Sequence, residues 1–260
     1  MNISWPTATA QRVGAGSPVP RRPSPGLSVV IPVKDEAESI GPLLRELRGA
    51  LGDAGDWEVL VVDDGSEDGT AARVAAMKAA GYPQLQLLRH RNSCGQSAAL
   101  RSGATAARGA WLGTLDGDGQ NDPADLARMW REARATRDAP ALWIGHRVAR
   151  HDNGLRRLSS RIANGVRGRL LRDGVPDTGC GVKLVRRDVF LALPYFDHLH
   201  RFLPALVQRE GHAVRSVPVA HRPRLHGRSK YSVRNRLWVG LVDLLGVMWL
   251  LRRRRLPDLQ

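Results

Sequence analysis

The chain has only two cysteines, Cys94 and Cys180, in 260 residues, too few for a disulfide framework. Four of its 40 basic residues are lysines (Lys34, Lys78, Lys183, Lys230), and aromatic residues make up 5%. The amino terminus lacks the apolar core of a signal peptide, so the expected compartment is the cytoplasm. The apolar segment 237–251 holds 15 residues with Asp243 as its sole charge. At about 1.5 Å per residue it reaches roughly 22 Å, short of a hydrocarbon core about 30 Å thick. The first strand-like run is followed by "PVKDE" instead of a glycine-rich turn, which sets aside a dinucleotide oxidoreductase.

What is present is a globular composition, 42% hydrophobic and 25% charged, with a formal net charge of +15. Residues 1–142 hold 16 positive and 17 negative side chains, whereas residues 143–260 hold 24 and 8. A general preference for arginine, in a chain rich in Ala, Gly and Pro, does not explain that asymmetry, which calls for an anionic partner. Residues 1–26, ending in "GAGSPVPRRPSPG", are too rich in Pro, Gly and Ser to pack and are expected to be disordered.

Five continuous apolar runs, 27–33, 57–63, 85–90, 110–116 and 141–147, alternate with stretches of helical spacing such as "ESIGPLLRELRGAL". Continuous runs suit strands covered on both faces, and their alternation with helices predicts βαβ units and a mostly parallel, Rossmann-like sheet. Ligands bind beyond the carboxyl ends of such strands. There the sequence places "KDEAE", "DDGSEDGT" and "DGDGQNDP", three acidic clusters expected to form one site.

In "GTLDGDGQNDP", Asp116 and Asp118 are two apart, and on an extended strand end they would point to one side. Carboxylate oxygens of this kind suit Mg²⁺ or Mn²⁺ rather than zinc, with Gln120 as a neutral third oxygen. Asp122, directly before Pro123, reads as a helix N-cap. Asp63 and Asp64 end the second run, where a carboxylate could accept hydrogen bonds from a base or ribose. Asp68 and Thr70 read equally as the start of the next helix.

The ordered series "VVIPVKDE", "VVDDGSEDGT", "TLDGDGQNDP", "DTGCGVKLVRRDVF" and "GRSKY" resembles glycosyltransferase family 2, and within it the dolichol-phosphate mannose synthase-like group of polyprenol-phosphate sugar synthases. The resemblance runs from about Leu27 to the carboxyl end. It implies a GT-A fold, a nucleotide-sugar donor (GDP-mannose or a UDP-sugar), a divalent metal, a polyprenyl phosphate acceptor and inversion at the sugar carbon. Carried over by motif, Pro32 and Glu36 contact the nucleotide, with Asp35 where the family usually has Asn and Lys34 where an aromatic is common. Asp64, with Asp63 beside it, holds the nucleoside, and Asp116, Asp118 and Gln120 form the metal cluster. Arg147 corresponds to the basic residue after the fifth strand, and Asp177 to the acid of the "D-x-x-S-G-F" box. A lipid phosphate is largely ionised at neutral pH, its second pKa being about 6, so positioning and charge neutralisation carry most of the catalysis. Arg147, Arg224, Ser229 and Lys230 are the candidate phosphate contacts. Asp177 orients the acceptor, or acts as base if the acceptor is a hydroxyl of a glycolipid or polysaccharide.

The basic half adds a membrane expectation. An amphipathic helix at 154–172 and the apolar segment 237–251, closed by Arg252 to Arg255, suit peripheral attachment to the cytoplasmic face of an anionic membrane, where each arginine contributes about 1 kcal/mol. An integral membrane protein could complete that attachment. No aromatic platform interleaves the arginines, which argues against nucleic acid as the partner. His198, His200 and His212 read as core or surface histidines. The expected organisation is a lead-in (1–26), a catalytic domain (27–220) and a basic, membrane-associating tail (221–260).

Overall fold

The computed structural model describes residues 25–52, 55–148, 167–168, 170–224 and 233–253. The chain builds β1 (Leu27–Val33), α1 (Ile40–Leu51), β2 (Trp57–Asp63), α2 (Thr70–Ala79), β3 (Leu85–Arg89), α3 (Gln96–Ala106), β4 (Trp111–Thr114), α4 (Pro123–Ala135) and β5 (Leu142–Arg147). Beyond these come β6 (Lys183–Arg186), α5 (Arg187–Ala192), a 3-10 turn (Leu199–Arg201), α6 (Leu203–Arg209), β7 (Val214–Val219) and α7 (Val233–Arg252).

The seven strands form one sheet in the order β3-β2-β1-β4-β6-β5-β7. Neighbours are parallel except around β6, which runs antiparallel to both β4 and β5. Successive strand residues point to opposite faces, so β1 buries Val29, Ile31 and Val33 against α1 and α4, and Val30 on the side of α3, α5, α6 and α7. The five expected strands are present. β4 stops at Thr114, however, so Asp116 and Asp118 lie in a turn rather than on an extended end. Two strands escape the continuous-run criterion. β6 is four residues long, and β7 alternates in burial and carries Pro218, as an edge strand can.

Local chemistry explains the helices that frame the site. α1 buries Ile40, Leu43, Leu44, Leu47 and Leu51, the one-faced spacing of an amphipathic helix. Asp122 caps α4 as expected, accepting from Ala124 N–H at 2.9 Å, with Pro123 at the first helical position. That cap satisfies a donor the helix cannot pair internally.

No described helix is long and apolar enough to cross a membrane. Residues 1–24 of the expected lead-in (1–26), most of the expected amphipathic helix at 154–172, Ser229 and Lys230 lie outside the described residues, whereas Gly26, expected in the lead-in, donates its N–H to the Asp56 carbonyl at 2.9 Å.

Candidate active site

The loops after β1 and β2 are laced together. Asp35 adopts a left-handed conformation (φ 50°), which Asn and Asp tolerate better than other non-glycine residues. Its N–H donates to Ser66 Oγ (2.9 Å), and its carboxylate accepts from Glu67 N–H (2.8 Å). Glu36 N–H donates to Thr70 Oγ1 (2.8 Å) and Ala37 N–H to Asp68 (3.1 Å). Asp68 also accepts from Thr70 N–H at 2.9 Å, steadying the start of α2.

Asp63 is fully buried, accepts from Ser66 N–H (2.8 Å) and lies 3.2 Å from Arg89 Nε. Asp64 is held from four sides. Its two oxygens take Cys94 N–H, Gly95 N–H and Ser93 Oγ–H, each at 2.8 Å, and His90 Nδ1 lies 2.7 Å away. Burial pushes the Asp64 carboxyl up, but these bonds outweigh it and hold its pKa below the usual range. Asp64, His90 and Cys94 bring three metal-ligating groups within 4.8 Å, and the hydrogen bonds to Asp64 account for their meeting. Both acids therefore tie together the loops after β2 and β3.

Asp116 is the centre of the arrangement. Its N–H donates to Asn121 Oδ1 (3.0 Å), and its Oδ1 accepts from Gln96 Nε2 (2.9 Å) at the first turn of α3. Asp118 accepts from Gln120 N–H (3.1 Å). Gly117 lets this turn lie against β1, because a Cβ there would sit 2.6 Å from Val33 Cγ1. Burial first, and then the Asp118 charge, push the Asp116 carboxyl up, opposed by Lys183, Arg147 and the Gln96 amide. A buried carboxylate pushed up by its neighbour's charge, together with that neighbour, forms a set of hard oxygen donors of the kind that suits a divalent cation. Asp116 and Asp118 are the residues that could hold such an ion, and oxygen donors of this type fit Mg²⁺ or Mn²⁺. Gln120 directs its side-chain nitrogen to the Arg222 carbonyl (3.3 Å), which leaves its oxygen for other use.

The end of β5 and the described residues just before β6 close the opposite wall. Arg147 and Asp177 form a two-pronged pair, Nε to Oδ2 at 2.7 Å and Nη2 to Oδ1 at 2.9 Å. Burial works against the Arg147 charge, and the Asp177 bonds more than offset it. Gly181 presses on the Asp116 turn so closely that a Cβ would lie 2.3 Å from Asp116 Oδ2. Its carbonyl accepts from Thr114 Oγ1–H at 2.6 Å. Lys183, buried at the start of β6, donates to the Cys180 carbonyl, and burial lowers its pKa.

After β7 the chain crosses the Asp116–Asp122 turn. Arg222 N–H donates to the Gln120 carbonyl (3.0 Å), and its guanidinium bridges Glu46 (2.6 Å) and Asp122 (2.7 Å). Arg224 pairs with Glu36, so a candidate phosphate contact and a candidate nucleotide contact meet. The structure thus gathers Pro32, Glu36, Asp63, Asp64, Asp116, Asp118, Gln120, Arg147, Asp177 and Arg224 along one edge of the sheet. Gln96, Asn121, Gly181, Lys183 and Arg222 are the participants that the sequence reading missed. Gln96 alone carried a local signal, as the first polar residue of a helix that follows a glycine.

A mostly parallel sheet thus carries acid-rich turns at its carboxyl edge, a carboxylate pair fit for a divalent ion and a basic segment folded over that pair. The profile of glycosyl transferase family 2 matches residues 28–193, and the chain belongs to that family. It is 34% identical over 235 residues to the dodecaprenyl-phosphate galacturonate synthase of Rhizobium johnstonii, covering 89% of this chain and 69% of that protein. It is also 34% identical over 208 residues to the undecaprenyl-phosphate 4-deoxy-4-formamido-L-arabinose transferase of Pseudomonas fluorescens, covering 79% of this chain and 60% of that protein. The chain therefore spans 60% to 69% of the length of these curated relatives. Among solved structures, glucosyl-3-phosphoglycerate synthase from Mycobacterium tuberculosis, with Mn²⁺, UDP and phosphoglyceric acid, superposes with a TM-score of 0.65 at 18% identity, covering 90% of this chain and 80% of that one. Mannosyl-3-phosphoglycerate synthase from Rubrobacter xylanophilus gives 0.65 at 16% identity, with 90% and 77% covered. These likenesses establish a GT-A-like fold.

Proposed function

We propose that the protein transfers a sugar, with inversion, from a nucleoside-diphosphate sugar to a polyprenyl phosphate at the cytoplasmic face of a membrane. The observation that carries the reading is the Asp116–Asp118 turn, clamped between Gln96 and Gly181 and faced by the Arg147–Asp177 pair. Two curated relatives named for polyprenyl-phosphate products support the acceptor class.

The residues divide the work. Pro32, Glu36, Asp63 and Asp64 shape the nucleoside end, and Asp116 and Asp118, with Gln120 adjoining, would hold Mg²⁺ or Mn²⁺. Such an ion offsets the charge collecting on a departing diphosphate. Arg224, released from Glu36, and Lys230, on the same basic segment, supply positive charge to phosphate oxygens. Arg147 orients the acceptor phosphate while Asp177 fixes the guanidinium. A carboxylate that already holds two guanidinium bonds is a poor proton acceptor, which favours an ionised phosphate acceptor over a hydroxyl needing a base.

The test incubates the purified chain with Mn²⁺, a panel of labelled UDP- and GDP-sugars, and either undecaprenyl phosphate or a glycolipid with a free hydroxyl. A labelled lipid that mild acid cleaves, formed only with the phosphate acceptor, is the expected product. Transfer to the hydroxyl acceptor alone would overturn the reading.

A further inference from the structure

Among the described residues, Asp64, His90 and Cys94 are a group of acidic, His and Cys side chains placed closely enough to share an ion, their ligand atoms all lying within 4.8 Å of one another. Asp64 follows β2, His90 follows β3, and Cys94 lies in the loop that leads into α3. Hydrogen bonds pre-assemble the group. The buried Asp64 carboxylate is fixed by the Cys94 and Gly95 N–H groups and by Ser93 Oγ–H, each 2.8 Å away. His90 Nδ1 faces Asp64 Oδ1 at 2.7 Å, and its other ring nitrogen, Nε2, lies 2.9 Å from Ser102 Oγ on α3. An imidazole held through its far nitrogen is oriented as metal-bound histidines are. With the ring proton on Nε2 and donated to Ser102, Nδ1 presents a lone pair beside the carboxylate. Cys94 is exposed, which gives an ion its way in, and its thiol donates to the Asn92 carbonyl at 3.4 Å, a weak bond that gives way easily.

We propose that Asp64, His90 and Cys94 form a second metal site, one that takes Zn²⁺. A carboxylate, an imidazole and a thiolate are zinc's own ligand types, whereas the hard oxygens of Asp116 and Asp118 suit Mg²⁺ or Mn²⁺. The distances allow it. Bonds of about 2.0 Å from Zn²⁺ to oxygen and to nitrogen, at a tetrahedral angle, set those atoms roughly 3.3 Å apart, so the 2.7 Å contact between His90 and Asp64 widens by less than about 1 Å. A Zn–S bond of about 2.3 Å places the sulfur roughly 3.5 Å from both, so the thiol closes by at most roughly 1.3 Å from the present 4.8 Å span. On binding, the Cys94 thiol proton passes to solvent and the imidazole stays neutral. Three protein ligands leave the fourth position to water.

Zinc in this place would act against the sugar donor. The Asp64 carboxylate, once a zinc ligand, is no longer free to accept hydrogen bonds from a nucleoside, so Zn²⁺ and the nucleotide exclude one another. That consequence rests on the proposed role of Asp64 in donor binding, whereas the metal site itself does not.

The experiment titrates the full, untagged chain with Co²⁺, thiols reduced and Mg²⁺ in excess to occupy the Asp116–Asp118 turn. Co²⁺ stands in for Zn²⁺, and its bond to a thiolate gives a charge-transfer band in the near ultraviolet. Wild type is expected to develop that band with a single equivalent of Co²⁺, and Zn²⁺ to erase it. Cys94→Ser should lose the band, while the buried Cys180 remains in place as an internal control. His90→Gln, which removes a ligand, and Ser102→Ala, which removes the group that orients it, should each weaken Co²⁺ binding by about tenfold or more. Circular dichroism checks that each variant folds. Wild type without the band, a band that persists in Cys94→Ser, or Co²⁺ affinity unchanged in His90→Gln would overturn the proposal. Repeating the titration with UDP or GDP, each loaded with Mg²⁺, separates the two readings. The nucleotide that binds should raise the Co²⁺ needed by about tenfold or more. A normal band that neither nucleotide weakens would overturn the exclusion, and with it the donor-binding role of Asp64, while the metal site stands.

Discussion

Replacing Gly181 by alanine tests the central clamp with a single methyl group. The new Cβ would lie 2.3 Å from Asp116 Oδ2 and 2.5 Å from Asn121 Oδ1, where ordinary contact begins at 3.4 Å. About 1 Å of movement is therefore required, and overpacking of that size costs roughly 1–3 kcal/mol. The backbone cannot easily give way, because the Gly181 carbonyl is bound by Thr114 Oγ1 at the end of β4. The Asp116 carboxylate must move instead, taking it from the Gln96 amide. A displacement of about 1 Å in a catalytic group can lower turnover about 100-fold. The expected result is a Tm lowered by about 2–4 °C for each kcal/mol, together with Mn²⁺ affinity, read from the paramagnetic signal of free ion, reduced at least tenfold. A variant that folds, binds Mn²⁺ within twofold of wild type and turns over normally would refute the clamp.

Asp122→Ala should destabilise the protein by about 1 kcal/mol through the lost cap while leaving Mn²⁺ affinity unchanged, because Asp122 serves α4 and Arg222. Asp116 has a raised pKa, so its protonated form suits the metal-free fold and its contribution to stability is lost as pH rises. Without metal, Asp116→Asn should therefore raise Tm at neutral pH. That gain should vanish below about pH 4, the ordinary carboxylate value, and added Mn²⁺ should raise Tm in the wild type only. Asp64 has a lowered pKa, so the stability it lends is present at neutral pH and lost on acidification. Thermal scans should find Asp64→Asn less stable by roughly 2 kcal/mol near neutrality, a gap that closes below about pH 4.

Much of the fold is legible in the sequence because a strand covered on both faces must be apolar throughout, as "LSVVIPV" and "WEVLVVD" are. β7 is not legible in this way. As an edge strand it alternates, and Pro218 reads as a breaker until its position at the edge is known. The acids of the candidate site announce themselves through local crowding, and Asp122 through the proline that follows it. Gly181 gives no such signal and Gln96 only its place at a helix start after a glycine, since the importance of both lies in contacts with Asp116, 65 and 20 residues away in the chain. Asp64 reads as an open hydrogen-bond acceptor until the β3–α3 loop is seen folded onto both its oxygens.

The reversed strand β6 has a consequence for how such a site is assembled. In a wholly parallel sheet only segments that follow strands reach the carboxyl edge. Because β6 runs the other way, with Lys183 opposite Thr114 and Ile144, the segment preceding it arrives at that same edge. Asp177 and Gly181 thereby meet Arg147 and Asp116 at the carboxyl edge. One inverted strand turns an approach path into a wall of the site, while the turns after β1, β2 and β4 stay in register.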